Sequence, residues 1–229
     1  MVPGRLVRRY KRFLADVRLD SGPLVIAHCP NPGAMTGYKY EGMRVYLSPA
    51  EQGSKRKLKW TWELARPGAA YVLVNTARAN PVVAEALHAG RLTDIGVYES
   101  VRAEQPFGVE GSRVDFVLQD KKRGRCFVEV KNVTFAGANR TALFPDAVTE
   151  RGRKHLRELM HVVDQGDRAV LLYLLARADC DRVSPADPVD PAYGRTLRQA
   201  AAHGVELLAY RADLSLRGLR VGRRVDVVL

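Results

Sequence analysis

Residues 113–131, RVDFVLQDKKRGRCFVEVK, constrain this chain more than any other stretch. Two apolar runs, Arg113 to Gln119 and Cys126 to Val133, flank the polar segment Asp120-Lys-Lys-Arg-Gly-Arg125, which is the pattern of a β-hairpin. Each run carries a carboxylate in its middle: Asp115 between Val114 and Phe116, Glu129 between Val128 and Val130. Strand side chains alternate between faces, so Val128 and Val130 share one face while Phe127, Glu129 and Lys131 share the other. With the turn centred near Lys122, an antiparallel register sets Asp115 opposite Glu129. Like charges facing each other across two strands, with Cβ atoms ~4.5–5.5 Å apart, destabilise the pair. A carboxylate flanked by core residues is also costly unless something positive meets it. Either one carboxyl stays protonated, since each raises the other's pKa, or a divalent cation binds between them. Mg²⁺ takes one or two carboxylates and keeps several waters, which leaves room for phosphate oxygens.

Lys131, on the face of Glu129, can offset part of that charge or orient a water. Asp115 with Glu129-x-Lys131 is therefore a compact set for phosphodiester hydrolysis, with Asp115 and Glu129 as the metal ligands and Mg²⁺ or Mn²⁺ as the expected ion. The competing reading is a solvated hairpin face carrying three ordinary surface charges. Glu104, a short turn before the first run, is the candidate for a further carboxylate, with Glu99 as its rival. The segment Phe144-Pro-Asp-Ala-Val-Thr-Glu-Arg-Gly-Arg-Lys-His-Leu156 opens a helix expected from about Asp146 to Asp164. Its apolar face is read as Leu156, Leu159, Met160 and Val163, with Asp146 as an N-cap. Arg151, Lys154 and His155 are placed off that face, where they can meet phosphate or solvent.

Before this region the chain reads differently. Lys11 to Arg18, Pro23 to His28, Met43 to Ser48, Leu58 to Leu64 and Tyr71 to Asn75 are five short strand candidates bounded by turn residues. Five strands in so short a span suggest a small barrel, and the OB-fold is the five-stranded choice. Pro81 to Ala89 then reads as a helix, with Pro in its first turn and Gly90 after it. The apolar run Ala169 to Leu175 marks a buried strand. Pro191 to His203 reads as a helix and Val205 to Tyr210 as a strand. Strands alternating with helices imply an α/β layer structure. The expectation is a mixed α/β chain, with an N-terminal OB-like β-barrel over residues 1–80 and an α/β domain over residues 81–229.

The chain has 229 residues and a formal net charge of +12. That excess points to a polyanionic partner, nucleic acid above all, against the plainer reading of a protein that is merely basic. No run approaches the ~20 apolar residues of a membrane span. The basic N-terminus is not followed by the apolar core of a signal peptide. Cys29, Cys126 and Cys180 form neither a zinc pattern nor a disulfide framework, so the expected compartment is the reducing cytoplasm.

The nucleic-acid surface is sought first in Gly53-Ser-Lys-Arg-Lys-Leu-Lys-Trp-Thr-Trp62. Lys55, Arg56, Lys57 and Lys59 can neutralise phosphates and release counterions. Trp60 can stack on an exposed base, as OB-folds do with single strands, although Trp60 and Trp62 can equally be core. The loop Pro30-Asn-Pro-Gly-Ala-Met-Thr-Gly37 offers backbone amides and the side chains of Asn31 and Thr36 to a phosphate, or is a plain barrel turn.

Several segments together, Cys29-Pro-Asn-Pro-Gly-Ala-Met-Thr-Gly37, Trp62-Glu-Leu64, Val74-Asn-Thr76, Ser112-Arg-Val-Asp-Phe116, Val128-Glu-Val-Lys131 and Phe144 to Leu156, resemble the bacterial and archaeal sugar fermentation stimulation protein family. The resemblance runs over nearly the whole chain. It implies an OB-like barrel followed by a restriction-endonuclease-like domain of the PD-(D/E)xK nuclease class. The metal-holding and water-activating roles of that class would fall on Asp115, Glu129 and Lys131, and the upstream acidic position on Glu104. It also implies DNA binding and a link to maltose fermentation genes, which residue chemistry does not reveal. Two departures stand out. Pro32 replaces the threonine of the family's usual Pro-Asn-Thr-Gly, and a Gly-Tyr expected just ahead of Phe144 is absent. Two functions follow as expectations: a metal-dependent nuclease, or a non-catalytic DNA-binding regulator built on the same frame. An acidic-metabolite binder is a third option that explains the Asn31 loop but not the basic charge.

Overall fold

Burial of alternate side chains builds the first unit. The computed structural model describes residues 1–229. Strands β1 (Val2–Tyr10), β2 (Leu14–Leu19), β3 (Leu24–His28), β4 (Arg44–Pro49) and β5 (Trp60–Arg66) wrap into a barrel. Neighbouring strands pair antiparallel, and a short parallel contact of β3 with β5, Ala27 with Trp60 and His28 with Thr61, closes the ring. Leu6, Val17, Val45, Leu47 and Trp62 fill the interior. This is the five-stranded OB architecture, but its strands differ from the sequence expectation. β1 was not anticipated, and residues 71–75 supply only the two-residue β6 (Val72–Leu73), which flanks β5. β1 is arginine-rich and contains Pro3 and Gly4, so it lacks the composition of a strand. Gly4 is required there because a Cβ would lie 2.7 Å from the Arg18 carbonyl oxygen. Lys11 to Phe13, expected in a strand, is the β1–β2 turn, with Lys11 and Arg12 both at positive φ.

A short 3-10 turn (Thr76–Arg78) leads into α1 (Ala79–His88). The second unit is a nine-stranded mixed sheet. Its strands are β7 (Ser100–Phe107), β8 (Ser112–Asp120), β9 (Gly124–Val133), β10 (Phe135–Ala136), β11 (Thr141–Phe144), β12 (Arg168–Leu175), β13 (Arg182–Pro185), β14 (Glu206–Leu214) and β15 (Leu219–Val227), with α2 (Glu150–Asp164) and α3 (Pro191–Ala202). The spatial order is β10-β11-β13-β15-β14-β12-β9-β8-β7. β12 lies inside the sheet, parallel to its neighbours β9 and β14, and is buried on both faces, as its unbroken apolar run requires. One core, with Leu156, Leu159, Leu171 and Leu197, lies beneath α2 and α3. The other, with Val83, Phe116, Val128 and Leu172, lies beneath α1.

α2 begins four residues later than expected. Its N-cap is Thr149, whose Oγ1 accepts from the Gly152 amide at 3.0 Å. Asp146 does not cap it. Instead Asp146 Oδ2 accepts from the Ala34 amide at 2.8 Å and the Met35 amide at 3.4 Å, which ties the second unit to the barrel. Tyr38 and Thr134 share a hydroxyl–hydroxyl bond of 2.8 Å across the same junction, and Leu73 donates its amide to the Ala176 carbonyl at 2.9 Å.

Candidate active site

The β8–β9 hairpin pairs Phe116 with Val128, Val117 with Phe127 and Leu118 with Cys126. The next pair in that register is Asp115 with Glu129, as the sequence spacing implied. Regular pairing stops there. Asp115 Oδ2 accepts from the Val130 amide at 2.7 Å, and Oδ1 accepts from Asn80 Nδ2 of α1 at 2.6 Å. Val114 packs into the α2-side core and Phe116 into the α1-side core, so β8 breaks its alternation at Asp115. The distortion crosses to the edge strand. β7 pairs Ala103 with Phe116 and Gln105 with Val114, and the residue between, Glu104, has φ +52°. A non-glycine residue at positive φ inside a strand is uncommon, and such irregularities gather beside functional sites.

Glu129 sits on the α2 side and is 3% exposed. Its Oε1 accepts from Lys131 Nζ at 2.6 Å and from His155 Nδ1 on α2. His155 Nε2 accepts from Arg151 Nε at 3.3 Å, one helical turn earlier, so the ring proton facing Glu129 is on Nδ1. The ring packs edge-on against Phe107. Glu129 Oε2 is buried and meets no hydrogen-bond donor. An ionised oxygen left unpaired in a buried place is costly, so Oε2 is an open acceptor of the site.

The two carboxyls are pushed apart in acidity. Burial and the Glu129 charge raise Asp115 above the usual carboxylate range. Burial acts on Glu129 in the same direction, but the Lys131 charge and the His155 bond outweigh it and hold Glu129 below that range. The shared environment therefore favours the charged form of Glu129 and opposes that of Asp115. No three His, Cys, Asp or Glu side chains converge on one point. Two carboxylates could hold a Mg²⁺ or Mn²⁺ ion only with waters or substrate oxygens completing its shell.

The remaining candidates scatter. Glu104 is exposed on β7, in register opposite Asp115. Lys55, Arg56, Lys57 and Lys59 lie exposed on the β4–β5 loop of the barrel, where Arg56 donates to Thr61 Oγ1 at 3.1 Å and Lys59 to the Ser54 carbonyl at 2.7 Å. Trp60 is half-buried against the barrel core, and Trp62 is fully buried with its indole N–H on the Leu64 carbonyl. Asn31 is 3% exposed and both ends of its amide are used, Oδ1 by the Gly33 amide and Nδ2 by Tyr38. It shapes the loop from within. Arg151 is exposed beside His155, and Lys154 donates to the Glu110 carbonyl.

Glu158 and Asn80 escaped the sequence reading, and His155 was expected in the wrong place. His155, placed off the apolar face, is buried. The inward stripe of α2 is Gly152, His155, Leu156, Glu158, Leu159 and Val162, so two polar residues stand where hydropathy alone expects none. The spacing of His155 four residues before Leu159 was the available signal. Glu158, at 1% exposure, accepts from the Val109 amide at 2.7 Å and the Glu110 amide at 2.6 Å, holding the β7–β8 turn. Asn80 has no sequence signal beyond its place at a helix start.

Comparison with known proteins agrees with this architecture. A family model described as the sugar fermentation stimulation protein RE domain matches residues 77–218, and one described as the SfsA N-terminal OB domain matches residues 7–74. A sugar fermentation stimulation protein homolog from Geobacter metallireducens is 50% identical over 229 residues, covering 100% of this chain and 97% of that protein. Homologs of the same name from Pseudomonas paraeruginosa and Maricaulis maris are 49% and 46% identical; the alignments cover 99% and 100% of this chain and 96% and 97% of theirs. The solved structure of Pyrococcus furiosus SfsA in complex with Ca²⁺ superposes with a TM-score of 0.87 at 23% identity, covering 100% of this chain and 96% of that one. No helix is long and apolar enough to cross a membrane. With an OB barrel, a restriction-endonuclease-like sheet and relatives matched end to end, the chain belongs to the sugar fermentation stimulation protein family.

Proposed function

We propose that this protein is a divalent-metal-dependent nuclease acting on DNA, with its site at Asp115, Glu129 and Lys131. One observation carries the reading: Glu129 Oε2 is buried without a donor, beside the half-buried Asp115, whose pKa is raised by desolvation and by Glu129's charge. A cation held by the two would supply a lowered pKa for water and relief of phosphate charge. Asn80 and the Val130 amide fix the Asp115 carboxylate. His155 and Lys131 fix Glu129 through Oε1, so that Oε2 stays directed at the cation position. Lys131 brings a fixed positive charge to where a phosphate's charge develops. The archaeal relative's structure is of a complex with Ca²⁺, which is in keeping with cation binding by this fold. The net charge of +12 and the exposed lysines of the β4–β5 loop favour a phosphate backbone as partner.

A second reading has its own support. Lys131 occupies Glu129, and Asn80 occupies Asp115, so the acidic pair is partly satisfied internally, as in a DNA-binding regulator without turnover. Cleavage of labelled single- and double-stranded DNA and RNA in Mg²⁺ or Mn²⁺, against EDTA and the Asp115→Ala protein, separates the two.

A further inference from the structure

The end of β9 that carries Lys131 runs directly into a pocket of about 210 Å³ at the junction of barrel and sheet. It is smaller than the roughly 300–1,000 Å³ of pockets that take whole drug-sized ligands, so it suits one flat ring system. Phe135, Leu143 and Phe144 form its apolar wall. Most polar groups on its rim are already used. Asn31 is bonded at both ends, Thr76 Oγ1 donates to the Pro30 carbonyl at 2.9 Å, and Thr134 holds Tyr38.

Two groups remain open. Asn132 follows Lys131 in the chain, its Oδ1 is buried with no partner, and Nδ2 enters no side-chain hydrogen bond. Asp146 spends Oδ2 on two barrel amides and leaves Oδ1 free. No lysine or arginine lines the pocket. A phosphate or an acidic metabolite would meet a carboxylate there and no lining cation, which disfavours both.

What fits is a flat ligand offering an amine and a ring acceptor side by side. A carboxamide pairs with the amine and ring nitrogen of adenine, and a carboxylate accepts from the amine of cytosine. We infer that the pocket receives one nucleobase bearing an exocyclic amine, turned out of the strand whose phosphate lies at Glu129 and Lys131. This rests on reading that site as one that meets nucleic acid. A base stacked and paired in a duplex cannot reach such a pocket, so the natural occupant comes from single-stranded or locally opened DNA.

The test measures binding of single-stranded octamers of deoxyadenosine, deoxycytidine and thymidine by fluorescence anisotropy in EDTA. It uses the full-length wild type and the Asn132→Leu, Asn132→Ala and Arg56→Ala proteins, each checked for cooperative melting. The expected result is at least about fivefold tighter binding of the adenine and cytosine octamers than of thymidine. Both Asn132 substitutions should erase that preference without weakening thymidine, while Arg56→Ala lowers all three together. Equal wild-type affinities, a preference that survives both Asn132 substitutions, or no binding of any octamer overturns the pocket. Cleavage in Mg²⁺ is scored separately. Base preference without cleavage keeps the pocket and removes the nuclease; cleavage without base preference does the reverse.

Discussion

His155 on α2 and Glu129 on β9 share a hydrogen bond in the interior, through Nδ1 and Oε1. This contact couples a helix to the central sheet and decides which oxygen of Glu129 is free. With Lys131 on the same Oε1 and Arg151 behind the ring, His155 is held from both sides, and in the proposed site it would position Glu129. His155→Ala should lower metal-dependent activity, or affinity for Ca²⁺ or Mn²⁺ by calorimetry, roughly 10–100-fold, the usual cost of losing such a partner. His155→Gln, which can still donate to Oε1, should recover part of it.

Asp115 and Glu129 should respond to neutralisation with opposite signs. Asp115 is raised in the fold, so its contribution to stability is full below the ordinary carboxylate range and is lost as pH rises through its folded value. At neutral pH the metal-free protein carries that cost. Asp115→Asn should therefore raise the Tm in EDTA at pH 7, with the gain shrinking toward pH 4, while abolishing turnover. The amide can still accept from the Val130 amide and, with Asn80 flipped, donate to its Oδ1.

Glu129 is lowered in the fold, so its contribution is present above the ordinary range and lost as pH falls through its folded value. Glu129→Gln leaves Lys131 without its buried counter-ion and should cost ~3–5 kcal/mol at pH 7, measured by denaturant unfolding. A Glu129→Gln protein as stable as wild type would show that the Lys131 and His155 contacts are not made.

The β7–β8 turn depends on Glu158. Glu158→Ala removes the acceptor of two amides and should destabilise by about 1–3 kcal/mol. Gly108→Ala should be at least as damaging, because φ there is +68° and a Cβ would lie 1.6 Å from Glu158 Oε2. Thermal melts of the two proteins check this, and activity per folded molecule should be little changed.

DNA binding should weaken with salt through the β4–β5 loop. Replacing both Lys55 and Lys57 by Ala should reduce the slope of log K against log salt by roughly 1.8, since each phosphate neutralised contributes ~0.9. Anisotropy titrations across a salt series give that slope.

The sequence disclosed the hairpin best, because its turn length set the register: the ladder runs from Asp120 with Gly124 to Phe116 with Val128, one step short of Asp115 and Glu129, where β8 loses the alternation that the sequence led one to expect. The barrel was legible as a class but not strand by strand. β1 hides its two-residue period beneath arginines, Pro3 and Gly4, and its partners β2 and β4 are chosen by tertiary pairing. β7 was missed for a related reason, since an edge strand with an exposed centre and a positive φ at Glu104 has no hydrophobic alternation to read. His155 and Glu158 were illegible because polar residues on an inner helix face look like surface until their partners, Glu129 and the Val109–Glu110 amides, are in place. Asp146 looked like a cap because local rules cannot see the barrel loop that lies against it.

The most direct measurement is cleavage of labelled single- and double-stranded DNA by the full-length protein in Mg²⁺ or Mn²⁺, beside EDTA and Asp115→Asn. The prediction is metal-dependent product from wild type and none from Asp115→Asn, although that protein is folded and retains DNA. Absence of product from wild type on every substrate, with DNA still retained in a gel shift, would contradict the nuclease reading and leave a DNA-binding protein on a nuclease frame.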